Sequence, residues 1–162
     1  LAKLGAHHSD RINAHIDRVY ASLNDVEILK QAIPGCEELT QDSQTEFSAT
    51  VVSKIGPVKA KFKGSVTLSD RNPPQSYTMT GQGSGGVAGF AKMCATVDLA
   101  EDGDATVMIY RVKATVGGKL AQIGGRLIDT AAKKMADEFF GRFEALVIGQ
   151  SENGVGGPDT VA

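Results

Sequence analysis

The sequence predicts an α+β domain: a curved antiparallel β-sheet wrapped around one long C-terminal α-helix, with two short helices after the first strand. Three observations carry this prediction. Apolar residues recur at helical spacing in two short runs before Gly35, alternate at period two from Phe47 to Val116, and return to spacings of three and four from Lys119 onward. The chain has 162 residues, enough for one domain with a real core. That domain is assigned to residues 1–148, and the small, polar, aperiodic stretch 149–162 to a disordered tail.

Taken in order, residues 3–14 carry only a weak strand pattern. In "HIDRVYASLND", Ile16, Val19, Tyr20 and Leu23 share one helical face. "DVEILKQAIPG" follows, with Asp25 as N-cap, Ile28, Leu29, Ala32 and Ile33 as its apolar side, and Pro34-Gly35 as its stop. The period then changes. Phe47, Ala49, Val51 and Ile55 alternate with Glu46, Ser48, Thr50 and Lys54, and Gly56-Pro57 supplies a turn. Val58, Ala60, Phe62, Gly64, Val66 and Leu68 then take one face of a strand, with Lys59, Lys61 and Lys63 on the other, which reads as a half-buried strand with a solvated lysine face. "SYTMTGQG" puts Tyr77, Met79, Gly81 and Gly83 on one side. Residues 90–99 alternate Ala91, Met93, Ala95, Val97 and Leu99 with polar groups, and "EDGD" turns the chain into "ATVMIYRVKATV". From Lys119, Leu120, Ile123, Leu127, Ala131, Met135, Phe139, Phe143 and Leu146 mark a helix about 43 Å long, enough to run the length of an 11-residue strand of about 36 Å.

Glycine, at 19 residues, is well above the usual share of about 7%. Gly117-Gly118 closes the last strand and lets the chain turn into the helix. Gly124 and Gly125 read as positions inside that helix, where each costs about 1 kcal/mol relative to alanine. With Gly118, Ala121 and Ile128 they form a narrow stripe almost free of side chains. Two causes fit the stripe: close approach of another element, or room for a molecule that is not protein.

Several function classes are disfavoured. A net charge of −2, no tryptophan and few other aromatics argue against nucleic acid as a partner. Cys36 and Cys94 read as two small buried thiols of a reduced, cytoplasmic protein rather than as a disulfide. No signal peptide is legible at the start, and no apolar run approaches the 18 or so residues of a membrane span. "GQGSGG" matches a dinucleotide-binding pattern at Gly81, Gly83 and Gly86, but the residues after it alternate as a strand, whereas that fingerprint must open a helix. His7, His8 and His15 lack metal-ligand spacing, so no metal site is expected. No serine or cysteine sits in an activating context, so no catalytic residues are assigned. The acidic cluster Glu37, Glu38, Asp42, Glu46 and the basic run over 54–71 read first as solvated faces.

Four stretches, "LNDVEILKQAIPGCEEL", "GPVKAKFKGSVTLSDRNPPQSYTMTGQGSGG", "AGFAKM" and "VGGKLAQIGGRLIDTAAKKMADEFFGRF", occur in order along the chain. Together they closely resemble the CoxG family of carbon monoxide dehydrogenase proteins, within the helix-grip superfamily that includes START and Bet v 1-like ligand-binding proteins. The resemblance covers about residues 16–147. It implies an accessory protein of a molybdenum hydroxylase of the carbon monoxide dehydrogenase type, associated with membrane recruitment of the enzyme and with carriage of a quinone in the helix-grip cavity. It also implies a place in the cytoplasm, with peripheral contact at the inner membrane face.

The expected ligand is therefore a non-covalently held hydrophobic molecule, quinone-like or lipid. Phe62, Met79, Met93, Leu120, Ile123, Leu127, Ala131 and Met135 are expected to line its cavity, with Gly124 leaving room and Phe90, in the loop 81–90, at the mouth. Lys59, Lys61 and Lys63 are the candidates for docking the dehydrogenase. Two alternatives stand beside the carrier: a docking protein without a ligand, and a cyclase-like enzyme, as some helix-grip relatives are.

Overall fold

The period-two segments pair into one seven-stranded antiparallel sheet. In chain order the elements are β1 (Ala2–Ile12), α1 (Ile16–Leu23), α2 (Val26–Ala32), β2 (Cys36–Gln41), β3 (Glu46–Ile55), β4 (Val58–Asn72), β5 (Ser76–Ser84), β6 (Phe90–Asp102), β7 (Ala105–Gly117), α3 (Lys119–Gln122) and α4 (Gly125–Val161). The sheet order is β1-β7-β6-β5-β4-β3-β2. The computed structural model describes the backbone of residues 2–161, and the side chains of Lys3 and residues 5–149.

Register puts the expected apolar positions on one face. Leu68 lies opposite Met79, Met79 opposite Ala95, and Ala95 opposite Val112. The next row runs Tyr77, Val97, Tyr110, His8. Against this face pack α1 and α2 through Val19, Leu23, Ile28 and Ala32, and α4 through Phe140, Phe143 and Val147, which together form the main core. Asp25 caps α2 as expected, accepting hydrogen bonds from the N–H groups of Glu27 and Ile28. The fully buried Thr106 hydroxyl donates to the Ala14 carbonyl at 2.7 Å, tying the start of β7 to the chain between β1 and α1.

One element is added and two expectations are corrected. The acidic stretch after Gly35 is a solvated face, as expected, and also a strand: β2 is an edge strand paired only with β3, with an irregularity between Cys36 and Glu38. Its outward glutamates hide the alternation and blunt an exposed edge. The two cysteines are free, but neither is buried, Cys94 being exposed and Cys36 half-buried. And the C-terminal helix is not continuous from Lys119: α3 ends, and the chain breaks at Gly124, whose φ is +96°. The Gly124 carbonyl accepts from the Ile128 N–H at 3.2 Å and so opens α4. Gly124 thus stands outside both helices, and no stripe of small residues runs along a single one. The backbone of α4 reaches Val161, whereas the tail expected over 149–162 falls, from Gln150 on, on side chains outside the described residues.

Gly118 does serve the turn into α3, at φ +72°. A Cβ there would lie 2.6 Å from the Cα of Gly89, itself at φ +118°, so the loop before β6 and the start of α3 meet backbone to backbone.

These geometries predict opposite signs for two glycine substitutions. Gly124→Leu should lower stability by about 1–3 kcal/mol, because a side chain at φ +96° is strained and nothing within 4 Å offers compensating contact. Gly141→Ala, on an exposed face inside α4 with nothing within 4 Å, should raise it by about 0.5–1 kcal/mol. Thermal denaturation reads both; a rise for Gly124→Leu would refute the break.

Candidate functional site: an apolar cavity between sheet and helices

The inward face of the sheet does not close completely onto the helices. A cavity of about 320 Å3 remains, within the lower range of small-molecule sites, about 300–1,000 Å3. Its floor comes from Phe47, Val66 and Leu68 of β3 and β4 and from Tyr77, Met79, Ala95, Val97, Met108, Tyr110 and Val112 of β5 to β7. Leu23 of α1 and Leu29, Ile33 and Pro34 at α2 close one side, and Met135, Ala136, Phe139 and Phe140 of α4 form the roof. The space exists because alanine and unbranched methionine stand at inward positions where the neighbouring rows carry larger branched or aromatic groups.

Among the described residues, no charged side chain lines it. At one side an aromatic group stiffens the wall: Phe140 stacks on Tyr110 at 5.3 Å and on His8 of β1 at 5.2 Å, and Phe139 packs edge-on against Phe140. Burial raises the Tyr77 and Tyr110 hydroxyls above the ordinary phenol range, and Asp137 and Asp10 push Tyr110 further in the same direction. Both side chains are therefore neutral O–H donors at neutral pH.

Of the residues expected to line the cavity, Met79 and Met135 do so. The others stand elsewhere. Phe62, Leu120 and Ile123 belong to a second apolar cluster with Val116 and Ile128. Met93 faces inward, half-buried beside Gly81, off the cavity wall. Leu127 and Ala131 line a neighbouring groove between β3 and α4, which shares Pro34 and Met135 with the cavity. Gly124 is exposed at the helix break. Phe90, 37% exposed, lies on the outer side with Lys63 and Lys92, and no residue of the loop 81–90 touches the cavity. For the helical residues the displacement follows from the break at Gly124, which sends α3 and Ile128 of α4 against the second cluster, so the cavity lies under Met135 to Phe140 instead of Leu120 to Ala131; Phe62 and Met93, on β4 and β6, miss it by their height along the strands.

The residues that sequence reasoning left out of the site, chiefly Tyr77, Ala95, Val97 and Tyr110, occupy the same inward alternation as those it chose. Period two gives the face of a strand but not the height along it. Lys59, Lys61 and Lys63 are exposed on the outer face, as expected; Lys61 pairs with Glu37 at 3.2 Å, and Lys59 lies opposite Lys54.

The family model for the carbon monoxide dehydrogenase protein CoxG matches residues 9–148. The chain belongs to the CoxG family. A CoxG-family chain with this fold has many structural counterparts. A conserved protein from Geobacillus kaustophilus is 29% identical, with a TM-score of 0.84, over 90% of this chain and 95% of that one. A START superfamily protein from Mycobacterium smegmatis matches at 13% identity and TM-score 0.67, over 90% and 98%. The Zhui aromatase/cyclase from Streptomyces sp. R1128 matches at 9% and 0.69, over 94% and 96%. The last two share the helix-grip fold alone. No curated protein matches the sequence. Among the described residues of this CoxG-family protein, no helix is long and apolar enough to cross a membrane, and no group of three or more His, Cys, Asp or Glu is placed to hold a metal ion.

Proposed function

We propose that this protein is a non-catalytic carrier that holds a hydrophobic molecule of the quinone or lipid type in the cavity. In this reading it serves a molybdenum hydroxylase of the carbon monoxide dehydrogenase kind, linking that enzyme to the electron acceptor of the membrane. The observation that carries the reading is the cavity wall, which among the described residues is lined by apolar side chains and two tyrosines and by no charged group. Such a wall binds by removing apolar surface from water, worth about 25 cal/mol per Å2, and needs few polar contacts. Only the side chains of Pro34 and Met135 are common to the cavity and the outer groove, so they form the wall between its interior and the surface on that side. Cytoplasmic placement with peripheral membrane contact is part of the same reading, and the large exposed apolar side chains Val87, Leu127 and Phe90 support it.

An enzymatic reading fits less well. Proton abstraction and return need a positioned acid and base, and the cavity offers two phenols held neutral, with no carboxylate, imidazole or amine in its wall among the described residues.

The test is extraction of the purified protein with organic solvent, followed by mass spectrometry and by titration of the stripped protein with a short-chain quinone. Co-purification of a quinone or lipid, or saturable binding, is the expected result. Repeated absence of both would end the carrier reading.

Docking of the dehydrogenase is assigned to the lysine face of β4, on the side of the sheet away from the cavity. Replacing Lys59, Lys61 and Lys63 together by Glu should abolish co-purification with the enzyme while leaving ligand binding unchanged and lowering stability by no more than about 1 kcal/mol, since all three are exposed and the Lys61–Glu37 pair lost is a surface one. Unchanged pull-down would reduce them to a solvated face.

A further inference from the structure

One stretch of the sheet edge is bare. β2 pairs with β3 only as far as Cys36 opposite Val51, and the Val52 N–H still donates to the Gly35 carbonyl at 2.9 Å, yet β3 runs on to Ile55 with no strand on that side. Backbone groups of an antiparallel strand point to alternate sides. Ile55 faces its hairpin partner Val58 across the Gly56-Pro57 turn, so Lys54, like Val52, turns its N–H to the side where β2 has ended. Among the described residues that N–H has no partner.

This edge is one wall of the groove of about 400 Å3 beside the cavity, and α4 is the other. Its lining is divided by charge. Leu127, Ala131 and Met135 lay an apolar strip along one face of α4, with Leu127 46% exposed, while Lys54 and Lys134 stand on opposite walls. Neither lysine is in an ion pair among the described residues, and the one carboxylate of the lining, Glu138, lies 3.8 Å from Arg142. Lys54 also stands directly opposite Lys59 on β4, a placement in which like charges repel. An anion in the groove would meet two cations and an unpaired N–H and would ease that repulsion. A neutral group would gain none of this.

We propose that the groove is a second binding site, which takes an amphiphile with an anionic end: a hydrocarbon chain terminated by a carboxylate or phosphate. Lys54 and Lys134 hold the head, and Leu127, Ala131 and Met135 carry the chain. The cavity, walled without a charged side chain among the described residues, would strip such a head of its hydration, so the two sites divide their ligands by charge. The groove site does not depend on the carrier reading.

The test is calorimetric titration of the full chain at about pH 8, where a carboxylic acid is ionised, with decanoic acid and decanol, which share a chain and differ in charge. It is run on the parent and on Ala95→Phe, whose ring occupies the cavity. In Ala95→Phe, decanoate and decyl phosphate should each bind roughly tenfold or more tighter than decanol, and inorganic phosphate alone should not bind. Lys54→Met and Lys134→Met should each weaken decanoate by about 1.5- to 5-fold, the range of an exposed charge contact, and leave decanol unchanged; Leu127→Ser should weaken both. Equal affinity for decanoate and decanol, or a decanoate affinity indifferent to both lysine substitutions, would overturn the site. Inorganic phosphate binding as tightly as decyl phosphate would make it a site for the free ion and overturn the amphiphile. Loss of decanoate binding in Ala95→Phe would place that ligand in the cavity and overturn the groove; should that variant not fold, the lysine variants of the parent decide. None of these outcomes requires a quinone to bind, so the two readings fail separately.

Discussion

Replacing Ala95 by phenylalanine should abolish ligand uptake and leave the ligand-free protein as stable as before. Ala95 is 2% exposed on β6, faces into the cavity, and lies between Met79 and Val112 in the sheet. A benzyl side chain there would project into a space of about 320 Å3 and take up much of it. Affinity for a quinone probe should fall by about 100-fold or more, equivalent to about 2.7 kcal/mol. The melting temperature of the stripped variant should hold, because the ring fills space that no protein atom occupies. Titration and thermal denaturation of the same preparation check both halves. If the variant instead loses the 1–3 kcal/mol typical of an overpacked core, the space is not free and the cavity assignment falls.

The second large effect concerns stability alone. Phe143 is fully buried, stacks face to face on Phe139 at 5.5 Å, and lies in the core between α4, the two short helices and the sheet. Phe143→Ala should cost about 3–5 kcal/mol, which for a domain of this size lowers the melting temperature by about 6–20 °C. Because Phe143 lines no part of the cavity, the fraction that stays folded at low temperature should bind ligand within about threefold of the parent. A loss under about 1 kcal/mol would mean that α4 is anchored elsewhere.

The same two residues mark where the sequence was legible. Phe143 stands out because spacings of three and four repeat around it. Ala95 is lost among equivalent inward positions, since alternation cannot say which of them faces helix and which faces empty space. The meander and the two short helices could be read because their apolar residues keep one period and because Asp25, Pro34-Gly35 and the "EDGD" turn punctuate them. β1 was faint because its inward positions include His8 and Asp10, so no apolar alternation survives; it is a strand by pairing with β7 along its whole length. β2, at the other edge, is hidden by its exposed glutamates and by the irregularity between Cys36 and Glu38. The helical part of the site was misplaced by one event, the break at Gly124. A helix drawn through that residue puts Leu120, Ile123 and Leu127 over the cavity, whereas the real chain uses them, or their neighbour Ile128, elsewhere. The glycine pair in the sequence is compatible with both courses, and only the positive φ decides between them.

That break gives the protein a lever. α3 is fastened at its start, where Gly118 meets Gly89, and α4 begins on the far side of a residue with nothing within 4 Å of where a side chain would be. Bending at Gly124 is opposed by the packing of α4: Ile128 in its first turn is buried with Val116 and Leu120, and the rest of the helix packs on α2, the helix that also walls the cavity. Met135 stands about 16 Å along the arm at 1.5 Å per residue, so a swing of only about 10° moves the roof there by about 3 Å. Met135 is shared between the cavity and the outer groove. The mechanical advantage of one glycine is thus delivered at the partition between inside and outside.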